Sequence, residues 1–201
     1  MSEPALAWNP PADVRAAIAA VRVREQQGTL LSDGRGVQIS PSPAMQEFSR
    51  QLRARFPAIT TVGLRAGSNH HTLSTTTGRR DVHEEGRAAD AMVPSLAAGE
   101  PIANYVSRAA QILGVQGLIW RRSAWWSDGR GFRAYGGTSP HVDHVHIEVG
   151  PDAAAWSAAE MARAFQRADA LGGQSTSGNG WVYAAIAIAV LGGAAWVIYD
   201  D

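Results

Sequence analysis

Two short blocks constrain this chain more than any other feature. The first is His83-Glu84-Glu85-Gly86-Arg87-Ala88-Ala89-Asp90, and the second is His141-Val142-Asp143-His144-Val145-His146. Imidazole nitrogen and carboxylate oxygen are ready zinc ligands. Two imidazoles and one carboxylate leave the fourth position of a catalytic zinc open for water. The step from His83 to Asp90 is too long for one helical turn and too short for a domain. It fits two ligands on the flanks of a loop that enters a strand, with Gly86 permitting the tight turn. The second block alternates. With 142–149 as a strand, His144, His146 and Glu148 share one face, and Val145, Ile147 and Val149 share the other.

His-x-x-Gly-x-Ala-x-Asp followed by Asp-His-x-His resembles the zinc D-Ala-D-Ala carboxypeptidase and endopeptidase family, which trims peptidoglycan stem peptides. Hedgehog signalling domains share that fold and that pattern. The resemblance covers 43–149 and rests on both blocks standing in this order. It implies one zinc ion per chain, held by His83, Asp90 and His146. It places Asp143, three residues before the last ligand, where the family keeps its general base. His141 and His144 match histidines that line the cleft in some members. Arg65, in Gly63-Leu64-Arg65-Ala66-Gly67-Ser68, matches an arginine that holds the substrate or the transition state. One position departs: Asp81 stands where the family usually has Ser two residues before the first ligand.

The rest of the chain bounds this reading. At 201 residues it can hold one domain of ordinary size. Acidic and basic residues balance at eighteen each, which gives no electrostatic case for a nucleic-acid partner. There is no cysteine, so thiolate chemistry and disulfides are excluded. The first residues lack the basic start and apolar run of a secretory signal.

Residues 1–40 read as a helix and a loop. Asp13 is the expected cap of a helix to about Gln27, with Val14, Ile18 and Val21 at helical spacing. The peptidase domain is expected over 41–170. Pro43 opens a helix to Phe56, 58–64 is a strand, 101–113 a helix and 115–120 a strand. Asp152 is the expected cap of a last helix running from Ala153 to about Asp169. The fold class is therefore α+β, helices packed on a small antiparallel sheet whose strands present the ligands. His70 and His71 read as loop residues, with alternative ligation as the sharper reading. Trp125 and Trp126 have two readings, core packing or walls of a substrate cleft.

The composition then changes. Residues 171–180 read as a flexible linker. Residues 181–199 carry no charge and form a candidate membrane span with aromatic residues at both ends. Ala185, Ala189 and Gly193 form a small-residue stripe suited to a second membrane helix. The expected protein is a tail-anchored enzyme in a bacterial inner membrane or a virion membrane, and a bacteriophage lytic enzyme fits that combination. Arg163 and Arg167 on the head side lean toward a cytoplasmic head. The rival readings are a metal-bearing module without catalysis and a structural membrane protein of a virion.

Overall fold

The computed structural model describes residues 7–23, 41–64, 82–83 and 85–174. The chain up to Ala168 forms one unit, and 169–201 form a second, of which only the end of a helix, 169–174, is described. The first unit is an α+β fold built on one six-stranded sheet. Its strands are β1 (Thr61–Gly63), β2 (Ala88–Met92), β3 (Val115–Trp120), β4 (Ser123–Trp126), β5 (Arg133–Ala134) and β6 (His144–Val149). Their order is β1-β2-β6-β3-β4-β5, and every pairing is antiparallel.

The alternation along β6 decides which face is which. Val145, Ile147 and Val149 are fully buried and join Ala89, Ala91, Leu118, Trp120 and Trp125 in the core. Against this face pack the helices α1 (Ala12–Ala19), α2 (Pro43–Arg55), α3 (Leu96–Arg108), α4 (Ala110–Leu113), α5 (Pro151–Ala154) and the first part of α6 (Ala158–Gln174). Phe48 of α2 meets Phe165 of α6 edge-on, with ring centroids 5.2 Å apart. At roughly 25 cal/mol per Å², burying such side chains is the main favourable term holding helices to sheet. The opposite face carries Asp90, His144, His146 and Glu148, and it is the face that holds chemistry.

Local signals explain most boundaries. Ser42 caps α2, accepting a hydrogen bond from the Met45 amide at 3.2 Å, and Pro43 stands at its first position. Gly114 ends α4 with φ +66°, the left-handed conformation that a helix C-terminus favours.

Several expectations need correction. Asp13 does not cap α1. It lies inside the first turn, and its carboxylate accepts from Arg108 Nε at 2.5 Å. That helix ends at Ala19, well before Gln27. The third helix begins at Leu96, not Pro101, because Ser95 caps it through the Ala98 amide at 3.3 Å. The C-terminal helix expected over 153–169 is two helices. Ser157 and Glu160 form a reciprocal capping box at the break: Ser157 N donates to Glu160 Oε2 at 2.7 Å, and Glu160 N donates to Ser157 Oγ at 3.3 Å. The second of these runs on to Gln174, into the stretch expected to be linker. β6 starts at His144 rather than Val142. Among the described residues no helix is long and apolar enough to cross a membrane. The expected span 181–199 lies outside the described residues.

Candidate metal centre

The loop before β2 is built to deliver His83. A tight turn runs from His83 to Gly86, closed by Gly86 N donating to His83 O at 3.0 Å. Gly86 has φ +65°, which a side chain would resist. A buried ion pair then pins the loop. Arg87 Nε donates to Glu85 Oε2 at 2.9 Å, and Arg87 Nη1 donates to the Val149 carbonyl at the end of β6. This arrangement fastens the first block to the second.

The strand register completes the convergence. Asp90 of β2 stands directly opposite His146 of β6. His146 Nδ1 lies 2.9 Å from Asp90 Oδ1. His83 Nε2 lies 3.2 Å from Asp90 Oδ1 and 3.2 Å from His146 Nδ1. Two nitrogens and one oxygen thus form a near-equilateral triangle, and these three residues make a possible metal-binding group. A tetrahedral zinc with ligands at about 2.0–2.1 Å has ligand–ligand edges of about 3.3–3.4 Å. The donor set therefore fits such an ion with a small expansion. Among the described residues no fourth carboxylate or imidazole joins the group.

The electrostatics follow from burial and pairing. Burial works against the charge on Asp90, but hydrogen bonds from His146 and His83 hold its carboxyl far below the usual carboxylate range. Burial likewise opposes charge on His146. Hydrogen bonds to Asp90 on one side and Glu148 on the other outweigh it and raise the pKa to about 10.

Two more histidines flank the triangle. His144 Nδ1 lies 2.8 Å from Asp143 Oδ1. The hydrogen bond to His144 holds Asp143 below its ordinary pKa, so it is a carboxylate at neutral pH and can only accept. His144 Nδ1 therefore carries the hydrogen. Its Nε2 lies 3.8 Å from Asp90 Oδ1. His141 is lowered to about 4 by burial and by the neighbouring His146 and His144, and is neutral at pH 7. It donates Nδ1–H to the Ser139 carbonyl at 2.9 Å. Its ring meets His144 at 4.7 Å and the edge of Tyr135 at 5.0 Å between centroids.

His141 is held in place by strained backbone. It has φ +50°, and Arg121 and Arg122 at the β3–β4 turn have φ +46° and +56°. Arg121 N donates to His141 O at 2.9 Å, and Arg122 N donates to Pro140 O at 3.0 Å. Non-glycine residues at positive φ cost about 1–3 kcal/mol each, and such strain gathers at functional sites.

The structure thus brings His83, Asp90, His146, His144, Asp143 and His141 together. Asp143 sits before β6 begins, which frees it from the alternation that would have turned it away. Its side chain is 68% exposed and reaches His144 rather than the triangle itself. Arg65, His70, His71 and Glu84 lie outside the described residues. The two tryptophans part company. Trp125 is not a cleft wall: it is fully buried and donates Nε1–H to Ser107 Oγ at 3.2 Å. Trp126 faces the other side, in the row Ala88, Glu148, Gly117, Trp126 across the sheet, with the Arg133 guanidinium 4.5 Å above its ring.

The sequence reading gave no role to Glu148, Gln116 or Tyr135. For Glu148 the signal was present, since it shares the His146 face at the next alternate position. For Gln116 there was none, because it lies at a bulge in β3.

A family model described as VldE, C-terminal domain, matches residues 38–146, a stretch that holds all three members of the triangle. No curated protein and no solved structure matches the chain.

Proposed function

We propose that this chain, which belongs to the VldE C-terminal domain family, is a zinc-dependent peptidase that hydrolyses peptide bonds in peptidoglycan stem peptides. The observation that carries the reading is an open set of donors: His83, Asp90 and His146 converge with no fourth protein ligand among the described residues. Structural zinc sites close with a fourth ligand, whereas hydrolytic ones keep that position for water. The stem-peptide substrate rests on the resemblance of the two motif blocks, as does the choice of zinc among divalent ions. An apolar tail over 181–199 suits an enzyme tethered to a membrane beside its wall substrate.

A bound zinc ion would supply Lewis acidity, polarising the scissile carbonyl and making water a nucleophile near neutral pH. The chain's own groups handle the proton. His144 Nε2 is the basic atom next to the triangle, and it accepts the proton that the attacking water loses. Asp143 orients the ring through Nδ1–H and stabilises the imidazolium that forms. His144 then returns the proton to the departing amine. His141, neutral and fixed by Ser139, offers a hydrogen-bonding edge for substrate. Arg65 would hold a substrate carboxylate or the developing oxyanion.

The test uses the full chain and isolated peptidoglycan. Asp143→Ala, which takes the orienting carboxylate from His144, should keep its zinc and lose hydrolysis, and His144→Ala should lose about 10²–10⁴-fold, the usual contribution of a positioned base. His83→Ala should lose both zinc and activity. Unchanged hydrolysis in Asp143→Ala would remove the pair from the mechanism. Full zinc occupancy in His83→Ala would remove His83 from the ligand set.

A further inference from the structure

Behind the triangle lies a second cluster that the hydrolytic chemistry leaves unused. Glu148 stands two residues after His146 on the same face of β6, with its side chain 12% exposed. A carboxylate buried this far costs several kcal/mol unless it is paired and hydrogen-bonded. Its partners are specific. Glu148 Oε1 lies 3.4 Å from His146 Nε2, and Gln116 Nε2 lies 3.4 Å from Glu148 Oε2. The Trp126 indole lies beside the same carboxylate, with Nε1 and Glu148 Oε2 both within 3.2 Å of the point a Gly117 Cβ would occupy.

The backbone is shaped to allow this. The β3–β6 register shifts between Val115 and Gly117, and the extra residue is Gln116. In a regular strand Gln116 and Gly117 would point to opposite faces; the bulge brings the Gln116 amide to the Glu148 side. Gly117 has no side chain for a reason. A Cβ there would lie 2.7 Å from Trp126 Cδ1 and 3.2 Å from Glu148 Oε2. Any other residue would push the indole and the carboxylate apart.

We infer that Glu148 is the positioning residue of the metal centre: it accepts the Nε2–H of His146 and so fixes the tautomer and ring angle that present Nδ1 to Asp90 and His83. Gln116 and Trp126 fix Glu148 in turn. A ligating histidine uses one nitrogen for the ion, and the partner of the other nitrogen decides which one. Here the two nitrogens of His146 are divided between the triangle and Glu148. The inference rests on the reading of His83, Asp90 and His146 as metal ligands. It adds three residues that those ligands do not name.

Zinc affinity of the full chain, measured by competition with a fluorescent chelator, tests it. Glu148→Gln keeps the shape but loses the fixed acceptor, since its amide can turn either atom toward Nε2. Affinity should fall by about 10–100-fold. The visible absorption of the cobalt-substituted protein should shift as well, which a merely structural role would not move. Trp126→Phe keeps the ring but removes the N–H, and should weaken zinc by a smaller factor with an unchanged circular dichroism spectrum. That variant decides the matter should Glu148→Gln fail to fold. Affinity within twofold of wild type and an unchanged cobalt spectrum in the folded variants would overturn the role of Glu148 alone. A wild-type chain that binds no zinc would overturn the metal centre and this inference together.

Discussion

Loading zinc into the triangle should expel the proton on His146 Nδ1. Burial disfavours charge on this ring, but hydrogen bonds to Asp90 and Glu148 raise its pKa to about 10. At pH 7 without metal the ring is therefore doubly protonated. An ion bound at Nδ1 needs that lone pair, so the Nδ1 proton leaves while the Nε2 proton stays on His146, donated to Glu148. The gap between pH 7 and a pKa of about 10 is roughly three units, or about 4 kcal/mol set against binding at about 1.4 kcal/mol per unit. Apparent zinc affinity should thus rise at least about tenfold per pH unit from pH 7 to pH 9. Calorimetric titration in buffers of different ionisation enthalpy counts the proton directly. At least one proton released per zinc at pH 7.5, the excess over one coming from zinc-bound water, is the predicted result. No release, together with an affinity that does not change with pH, would refute the reasoning. The same shift has a stability sign in the zinc-free protein. His146 is raised from 6.5 to about 10, so its contribution is complete below 6.5 and is lost as pH rises through 10. Asp90 is lowered, so its contribution is present above the ordinary carboxylate pKa and is lost on strong acidification.

Two further substitutions probe how the fold holds the site. Gly99→Ala would place a Cβ 2.3 Å from Trp120 Cη2, and Trp120 is fully buried. The gain in helix preference of about 1 kcal/mol is outweighed by overpacking toward the upper end of about 1–3 kcal/mol. Urea denaturation should show a net loss of about 1–2 kcal/mol, and a stabilised variant would contradict this packing. Arg87→Met leaves Glu85 buried without its cation and should cost about 3–5 kcal/mol. Adding Glu85→Leu should restore much of that stability, as read by thermal unfolding; no recovery would show that the Arg87 bond to Val149, rather than the ion pair, holds the loop.

Much of the centre was legible because its signals are local. The alternation after His144 put His146 and Glu148 on one face, and β6 keeps that register. Gly86 announced the turn that carries His83, and Pro43 marked a helix start that the structure keeps. What stayed hidden depends on partners distant in sequence or on turns without their usual residues. An Arg-Arg pair at positive φ does not look like a two-residue hairpin turn, which favours Asn and Gly. A bulge at Gln116 has no composition of its own. Trp125 and Trp126 are adjacent, so alternation alone sends one to the core and one to the site face, but it does not say which. Their register against Leu118 and Gly117 settles that. The helix break at Ser157 was readable in principle, since Ser-x-x-Glu is a start signal, but the alanine-rich run around it suggested continuity.

The most direct test of the account is zinc content and wall digestion, measured together on the purified full chain. The account predicts one zinc per chain and soluble fragments whose masses place the cut within the stem peptide. One zinc with no cleavage of any stem-peptide substrate would contradict the peptidase, leaving a metal-bearing binding module built on the same triangle.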